Sequence, residues 1–378
     1  MHLMATERTL PKLLQERKNR FTQNIMSTAL YPMKFMPLFK NKVWGGNKIK
    51  SFGFDYSPLP NCGELWVLSG VEDNESVVEN GFLKGNHINE VLEVYMGEVL
   101  GEENYDRFGS EFPLLLKLID ANDKLSIQVH PDDTLAQKRG MENGKTEMWY
   151  ILEAGEGAEI VDGFEQQVTP EEYRQYLEAG LIERLLHVEH PQRGDMFFIP
   201  AGRIHAIGKD ILLAEIQQRS DCTYRIYDYN RKDADGKLRP LHTEEALDAI
   251  DFRPTTDGKT HYNYRDNATV SLAECPYFTT NLISLTQPMG KDFTALDSFV
   301  LYFCVEGIAA VKSMEHVVPM HAGECVLVPA AADRVELFAK ERAKLLEVYI
   351  DPAQWKGESG HHTHAGDWLV EFDRGSGL

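Results

Sequence analysis

The chain has 378 residues, of which 43% are hydrophobic and 26% charged, and its formal net charge at pH 7 is -20. This length is enough for two modest domains or for one domain with a large insertion. No apolar run approaches the ~18 residues that a membrane-spanning helix needs, and the negative charge disfavours nucleic acid and anionic membranes as partners. A phosphorylated substrate would need cations gathered in one pocket.

Five widely spaced cysteines, with no CxxC pair among them, predict reduced thiols and a cytoplasmic protein. They are Cys62, Cys222, Cys275, Cys304 and Cys325. Residues 1–25 are mixed and charged, and they lack the apolar core of a signal peptide. We interpret this segment as an N-terminal extension that is disordered or helical.

From Lys34 to about Asp120, short apolar runs alternate with Gly, Asn and Pro, which predicts strands joined by turns. The runs are ELWVLSG, EVLEVYMG and FPLLLKLID. The next predicted strand, residues 124–130, alternates strictly, so that Ser126, Gln128 and His130 share one face. The opposite face is apolar, and the polar face is available for chemistry.

Residues 169–190 change to a helical period. Thr169-Pro170-Glu171-Glu172 is a capping box with Pro at the first helical position, so we expect a helical insertion here. Strands are predicted again at residues 195–200 and 211–217, and a short helix at residues 243–250. The pattern from Tyr277 to Ile350 is that of strands and turns once more.

The stretch from Gly194 to His205 has the spacing GX5PXGX2H, which resembles the second motif of the cupin superfamily. Gly194 permits the turn into a strand, and Pro200 and Gly202 force the next turn. His205 then projects into the mouth of a β-barrel. A single buried histidine is more often a satisfied core residue than a ligand, but this frame reverses that expectation.

Gln128 and His130 lie two residues apart on one side of a strand, where both side chains can reach one ion. Glu147 follows in GKTEMWYIL, at the start of the next apolar run. Each residue taken singly fits a surface hydrogen bond or a solvated acid, but with His205 they predict a divalent metal site with open positions. The commoner cupin pattern is HxH, so Gln128 is a departure and a weaker ligand.

The segment from Gly323 to Arg334 repeats the GX5P frame, with Ala331 in place of Gly202 and Arg334 in place of His205. This pattern indicates a cupin without its metal, produced by internal duplication. We therefore predict a mainly β protein with two cupin-like jelly-roll barrels. The expected order is a catalytic domain at 26–240, a connecting region at 241–275 and a degenerate second domain at 276–378.

Four segments together resemble the type I mannose-6-phosphate isomerase family, in its shorter bacterial form. They are QVHPDD, GKTEMWYI, PAGRIHAIG and TYRIYDYNR. The resemblance implies one zinc ion per chain, held by Gln128, His130, Glu147 and His205. It also implies that Lys145 and Arg225 line the active site and act in catalysis, and that Lys117 and Ser126 lie at the phosphate-binding end of the pocket.

The resemblance further implies the interconversion of mannose 6-phosphate and fructose 6-phosphate through an enediol. Two other hypotheses are a non-catalytic sugar-binding bicupin and an iron-dependent cupin oxygenase. The complete ligand set argues against the first, and Gln128 and Lys145 argue against the second. The sequence leaves open whether Lys145, an imidazole or a metal-bound hydroxide transfers the proton, and Asp228 is a further candidate for which a structural role is favoured.

Overall fold

The computed structural model describes residues 29–233, 235–255 and 258–356, and the predicted extension at 1–25 lies outside them. The described chain is mainly β. Its strands, in chain order, are β1 (Met33–Lys34), β2 (Leu38–Lys40), β3 (Glu64–Ser69), β4 (Leu114–Ala121), β5 (Ile127–Val129), β6 (Glu147–Ala154), β7 (Ile160–Phe164), β8 (Leu186–Glu189), β9 (Met196–Ile199), β10 (His205–Ile207), β11 (Ile211–Gln218), β12 (Tyr224–Tyr227), β13 (Thr269–Cys275), β14 (Phe278–Leu285), β15 (Met289–Asp292), β16 (Val300–Ser313), β17 (His316–His321), β18 (Cys325–Val328) and β19 (Arg334–Tyr349).

The strands form three antiparallel sheets. Sheet I has the order β2-β3-β4-β11-β6-β9, and sheet II has the order β12-β5-β10-β7-β8. Sheet III has the order β1-β18-β16-β19-β14-β13, with β15 paired to β19 and β17 paired to β16. The strands predicted at 195–200 and 211–217 are β9 and β11, and the predicted strand at 124–130 is shorter, as β5.

The helices are short. They are α1 (Ile88–Tyr95), α2 (Gly97–Leu100), α3 (Glu102–Phe108), α4 (Asp133–Lys138), α5 (Pro170–Glu178), α6 (Thr243–Ala249) and α7 (Pro352–Lys356), with 3-10 turns at Lys48–Phe52 and Ile182–Leu185. The helix predicted at 243–250 is α6. No helix of the described chain is long and apolar enough to cross a membrane.

Two predicted ranges differ from the structure. The run EVLEVYMG, interpreted as a strand, is mostly helix α1, because His87 and Glu90 form a capping box and Ile88, Val91 and Leu92 are buried on one helical face. The helical range 169–190 is too long. Its capping box is present, but helix α5 ends at Glu178, Gly180 adopts a left-handed φ of 69°, and residues 186–189 form β8 against β7.

Sheet pairing also crosses the predicted domain limits. Strand β13 lies in the range predicted as a connecting region, where Val270 and Leu272 alternate inward to the core. Strand β1, from the predicted first domain, pairs with β18 of sheet III. The five cysteines form no disulfide within the described residues, in agreement with the predicted reduced thiols.

Sheets I and II face each other across an apolar cluster that includes Trp149, Phe197 and Ile207. The outer face of sheet I packs with helices α1 and α2 and with sheet III in a second cluster. Helices α5 and α6 lie near the outer face of sheet II, in a cluster with Ile127 and Ile204. These layers hold the inner faces of sheets I and II rigidly opposite each other, which is where the predicted site residues lie.

Candidate metal centre

Three predicted site residues form a row across sheet II. His205 on β10 is directly opposite Gln128 on β5, and Gln128 is opposite Arg225 on β12. Residues that are opposed in antiparallel strands project from the same face of the sheet. The alternation seen in the sequence therefore brings Gln128, His205 and Arg225 to one surface.

Sheet I supplies Glu147, the first residue of β6. Its Oε2 lies 3.5 Å from Nε2 of His130, and its Oε1 lies 3.5 Å from Nε2 of His205. One ligand atom from each of these three buried residues lies within 4.8 Å of the others. A backbone hydrogen bond also joins the segments that carry His205 and His130, since Gly202 N–H donates to His130 O over 2.9 Å. The two sequence motifs thus meet at one point.

Lys145 and Gln128 complete the surroundings of this group. Lys145 Nζ lies 2.7 Å from Glu147 Oε2 and 3.1 Å from His130 Nε2, and its side chain is buried. Gln128 Nε2 lies 3.3 Å from His205 Nε2. All four residues that the resemblance implies as ligands are therefore adjacent, with the predicted catalytic Lys145 in contact with two of them.

The electrostatics favour ligand atoms that are free of protons. Burial, aided by the Lys145 charge, lowers the pKa of His130 to about 3, and burial also lowers the pKa of His205. Burial acts to raise the pKa of Glu147, but Lys145 and His130 outweigh it and bring the pKa well below its ordinary value. At neutral pH the group consists of two neutral imidazoles and a carboxylate, which is a donor set suited to a divalent ion.

Orphaned polar atoms test whether a metal fits. Oε1 of Glu147 is buried without a hydrogen-bond partner, whereas Oε2 is paired with the Lys145 ammonium over 2.7 Å. Buried oxygens are rarely left in this state unless something else satisfies them. With two imidazole Nε2 atoms beside them, the residues present fit a bound divalent cation.

Lys117 lies on the inner face of sheet I, in a row of side chains that includes Glu215, a residue that the sequence analysis did not identify. Its Nζ contacts Glu215 Oε1 over 2.9 Å and donates to Gln217 Oε1 over 2.7 Å. Burial acts to lower the pKa of Lys117, but Glu215 and Glu64 raise it above its ordinary value. Glu215 was detectable as the single acid within the apolar run ILLAEIQ.

Trp149 is a second residue that sequence reasoning missed. Its Nε1 donates to Glu215 over 3.1 Å, and its ring centre lies 5.5 Å from that of His205. Trp149 thus links the Lys117 row to the metal-type ligands. Ser126, buried on β5's inward side, has its Oγ 3.5 Å from Gln128 Oε1.

Arg225 stands beside a cluster of arginines around Asp228. Its Nη1 donates to Pro240 O over 3.1 Å, while its Nε is buried without a partner. Burial, followed by the charge of Arg239, lowers the pKa of Arg225. The carboxylate of Asp228 accepts from Arg231 over 2.7 Å and from Arg239 over 2.6 Å, so its oxygens hold guanidinium groups in place. This agrees with the structural role favoured for Asp228.

The second GX5P frame lacks a comparable group. Gly323 has a φ of 91°, close to the 93° of Gly194, but Ala331 does not adopt the left-handed φ of Gly202. Arg334 is an exposed residue paired with Asp292 over 3.1 Å. Within the ranges that the structure describes, the group of His130, Glu147 and His205 is the one set of His, Cys, Asp and Glu side chains placed to hold a metal.

Comparisons with known proteins show the family to which the chain belongs. Residues 33–165 match the family described as phosphomannose isomerase type I, catalytic domain, and residues 268–349 match the mannose-6-phosphate isomerase cupin domain. Mannose-6-phosphate isomerase ManA of Bacillus subtilis is 38% identical over 301 residues, or 79% of this chain and 93% of that protein. Mannose-6-phosphate isomerase of Streptococcus mutans is 41% identical over 250 residues, or 66% of this chain and 77% of that protein.

One solved structure resembles this chain, and the similarity extends over nearly the whole of the solved chain. The mannose 6-phosphate isomerase from Bacillus subtilis superposes with a TM-score of 0.75 at 32% identity, covering 84% of this chain and 99% of that one. The fold and site define a mainly β protein with a cupin domain and a candidate metal centre between two facing sheets. The chain belongs to the type I mannose-6-phosphate isomerase family.

Proposed function

We propose that the protein interconverts mannose 6-phosphate and fructose 6-phosphate as an aldose-ketose isomerase. The observation that carries this proposal is the buried group of His130, Glu147 and His205, with Lys145 in contact with two of its members. Relatives that bear the name mannose-6-phosphate isomerase support the substrate. The cytoplasmic location expected from the reduced thiols is proposed with it.

The proposed cofactor is one zinc ion per chain, with Gln128, His130, Glu147 and His205 as ligands. Neutral imidazoles and an ionised carboxylate are typical zinc ligands, and the amide of Gln128 adds a neutral oxygen. When bound, the ion would supply a Lewis acid beside the sugar oxygens O1 and O2. The unpartnered Oε1 of Glu147 supports this proposal.

Lys145 and Arg225 are the proposed catalytic residues. Moving a proton between C1 and C2 through an enediol builds negative charge on the substrate oxygens, and fixed cations stabilise such charge best where water is excluded. Lys145 is buried at the ligand group, and Arg225 projects from the same face of sheet II as Gln128 and His205. These positions support a role for both residues in stabilising the enediolate.

The substrate phosphate is proposed to bind near Lys117 and Ser126. Ser126 is two residues before Gln128 on the same strand face, and the Lys117 row adjoins the ligand group through Trp149. In the described chain without substrate, Lys117 is held by Glu215 and Gln217. A bound phosphate would share this ammonium, because oxyanions form short, charge-assisted hydrogen bonds with it.

We also propose two duplicated cupin jelly-roll barrels, with α5 in an insertion of the first and with β1 and β13 in the sheet of the second. The strand pairing after Gly194 and after Gly323 is equivalent, which supports the duplication. Three residues after each frame's glycine, Phe197 pairs with Trp149 and Val326 pairs with Tyr302. The Tyr302 hydroxyl donates to buried Glu347 over 2.9 Å, as Trp149 Nε1 donates to Glu215. The same arrangement of an aromatic donor and a buried acid recurs in both halves.

Metal analysis of the purified full chain, together with a coupled assay for fructose 6-phosphate formed from mannose 6-phosphate, tests the proposal. We expect one zinc per chain and turnover, and we expect His205→Ala to lose both while Arg334→Ala keeps both. Bound sugar phosphate without turnover would favour the sugar-binding bicupin. Bound iron with oxygen consumption would favour the oxygenase.

A further inference from the structure

An ion pair between a buried carboxylate and a partly exposed guanidinium lies next to the candidate metal centre but contributes no ligand to it. Asp162 on β7 is fully buried and is directly opposite His205 on β10. Arg203 Nη1 lies 3.2 Å from Asp162 Oδ1. The other carboxylate oxygen of Asp162 has no hydrogen-bond partner among the described residues. The carboxylate is thus held from one side, by a guanidinium.

Arg203 also contacts His205 through its backbone. The carbonyl of Arg203 is 2.8 Å from His205 Nδ1, which is the nitrogen that faces away from Glu147. The Arg203 guanidinium donates to Phe198 O over 3.2 Å as well. The side chain therefore ties the turn before β10 to both β7 and the end of β9, while its carbonyl accepts from the imidazole.

A carbonyl in this place decides which nitrogen of His205 carries the proton. When Nδ1–H donates to Arg203 O, the lone pair of Nε2 points to Glu147 and Gln128. Partners of this kind set the orientation and basicity of metal-binding histidines, and their loss typically weakens metal affinity by about 10- to 100-fold. The position of the carbonyl depends on the turn that the Arg203 side chain anchors.

We propose that Asp162 and Arg203 are positioning residues for metal binding by His205. Asp162 holds the guanidinium, the guanidinium holds the turn of residues 200–204, and the turn's carbonyl fixes the tautomer and direction of the imidazole. This inference rests on the proposed metal site, although it does not depend on the sugar substrate. A pair that served stability alone would not change the affinity of a folded protein for its metal.

The test uses Asp162→Asn, which removes the charge at constant shape, and Arg203→Lys, which keeps the charge on a shorter side chain that does not reach the position of Nη1, the atom that contacts both Asp162 and Phe198. The matched controls are Asp292→Asn and Arg334→Lys, because Arg334 and Asp292 form an exposed Arg–Asp pair of 3.1 Å that follows the second GX5P frame. Burial raises the pKa of Asp162 to about 6, with Arg203 opposing the rise, so measurements are made at pH 8.

The readouts are the zinc dissociation constant by chelator competition, the absorption spectrum of the cobalt-substituted protein and the unfolding midpoint of the metal-free protein. We expect Asp162→Asn and Arg203→Lys each to weaken zinc binding about 10-fold or more and to alter the cobalt spectrum, with both controls unchanged. Folded variants with the parent's zinc affinity and spectrum would overturn the inference. If Asp162→Asn does not fold, Arg203→Lys decides alone. A parent chain that binds no zinc would instead refute the proposed function.

Discussion

Lys117 and Glu215 form the ion pair whose removal we expect to be most costly. Their side chains are 6% and 4% exposed, and Nζ and Oε1 are 2.9 Å apart. In Lys117→Met, Glu64 keeps Lys42 at 2.9 Å, whereas Glu215 keeps only the Trp149 hydrogen bond among its described contacts. Because one buried charge is left uncompensated, we expect a loss of about 3–5 kcal/mol in the free energy of unfolding.

A double-mutant cycle separates this pair from general packing. Glu215→Leu should cost a similar amount, but the double variant should recover much of it, with a coupling energy of about 1.5 kcal/mol or more. Urea unfolding of the metal-free proteins, followed by circular dichroism, gives all four free energies. The control is Lys312→Met, since Lys312 and Glu336 form an exposed pair at 3.0 Å that is worth about 1 kcal/mol or less. Additive single effects, or a Lys117→Met cost no larger than the control's, would refute the reasoning.

Three further predictions follow from other parts of the chain. Arg225→Ala should lower kcat by about 100-fold or more with zinc content retained, because its charge acts on the enediolate; unchanged kcat in the coupled assay would remove Arg225 from catalysis. Burial acts to lower the pKa of His187, but hydrogen bonds to Glu165 and Glu189 raise it above its ordinary value of 6.5. The stability that this imidazolium supplies is therefore full below pH 6.5 and is lost as pH rises through the raised pKa. In urea unfolding, His187→Gln should destabilise the protein at pH 6 and much less at pH 9. Equal losses at the two pH values would contradict the assignment. The Asp297 carboxylate accepts from the first two N–H groups of α3 over 2.9 Å each, so Asp297→Ala should cost about 1 kcal/mol by the same measurement, and no loss would show that water replaces this cap.

The proximity of Gln128, His130, Glu147 and His205 was predictable because each residue lies in a short motif with its own geometry, while their role as ligands stays a proposal. Gln128 and His130 are fixed by strand alternation, and His205 by the turn at Pro200 and Gly202. Their proximity to Glu147 follows once sheets I and II are assumed to face each other. The predicted roles of Lys117, Ser126, Lys145 and Arg225 remain proposals, although Lys145 contacts Glu147 and His130 and Arg225 is opposite Gln128 in sheet II.

Features that depend on distant pairing were not predictable in the same way. Glu215 neutralises Lys117 from a strand about 100 residues away, and no local pattern records that partnership. Helix α1 was mistaken for a strand because a short apolar run fits both periods until its capping box is weighed. Arg203 and Asp162 were missed for a related reason, since their contact is made across sheet II.

The pairing of β1 with β18 constrains the order in which the strands can pair during synthesis. Met33 is paired in register with Leu327, a partner that is synthesised much later than β1 and after all the strands of sheets I and II. The first sheets can assemble during translation, but this N-terminal strand must wait, unpaired, for the C-terminal sheet. Separate expression of the C-terminal half would therefore leave β18 as an open sheet edge, which is the kind of surface through which chains aggregate.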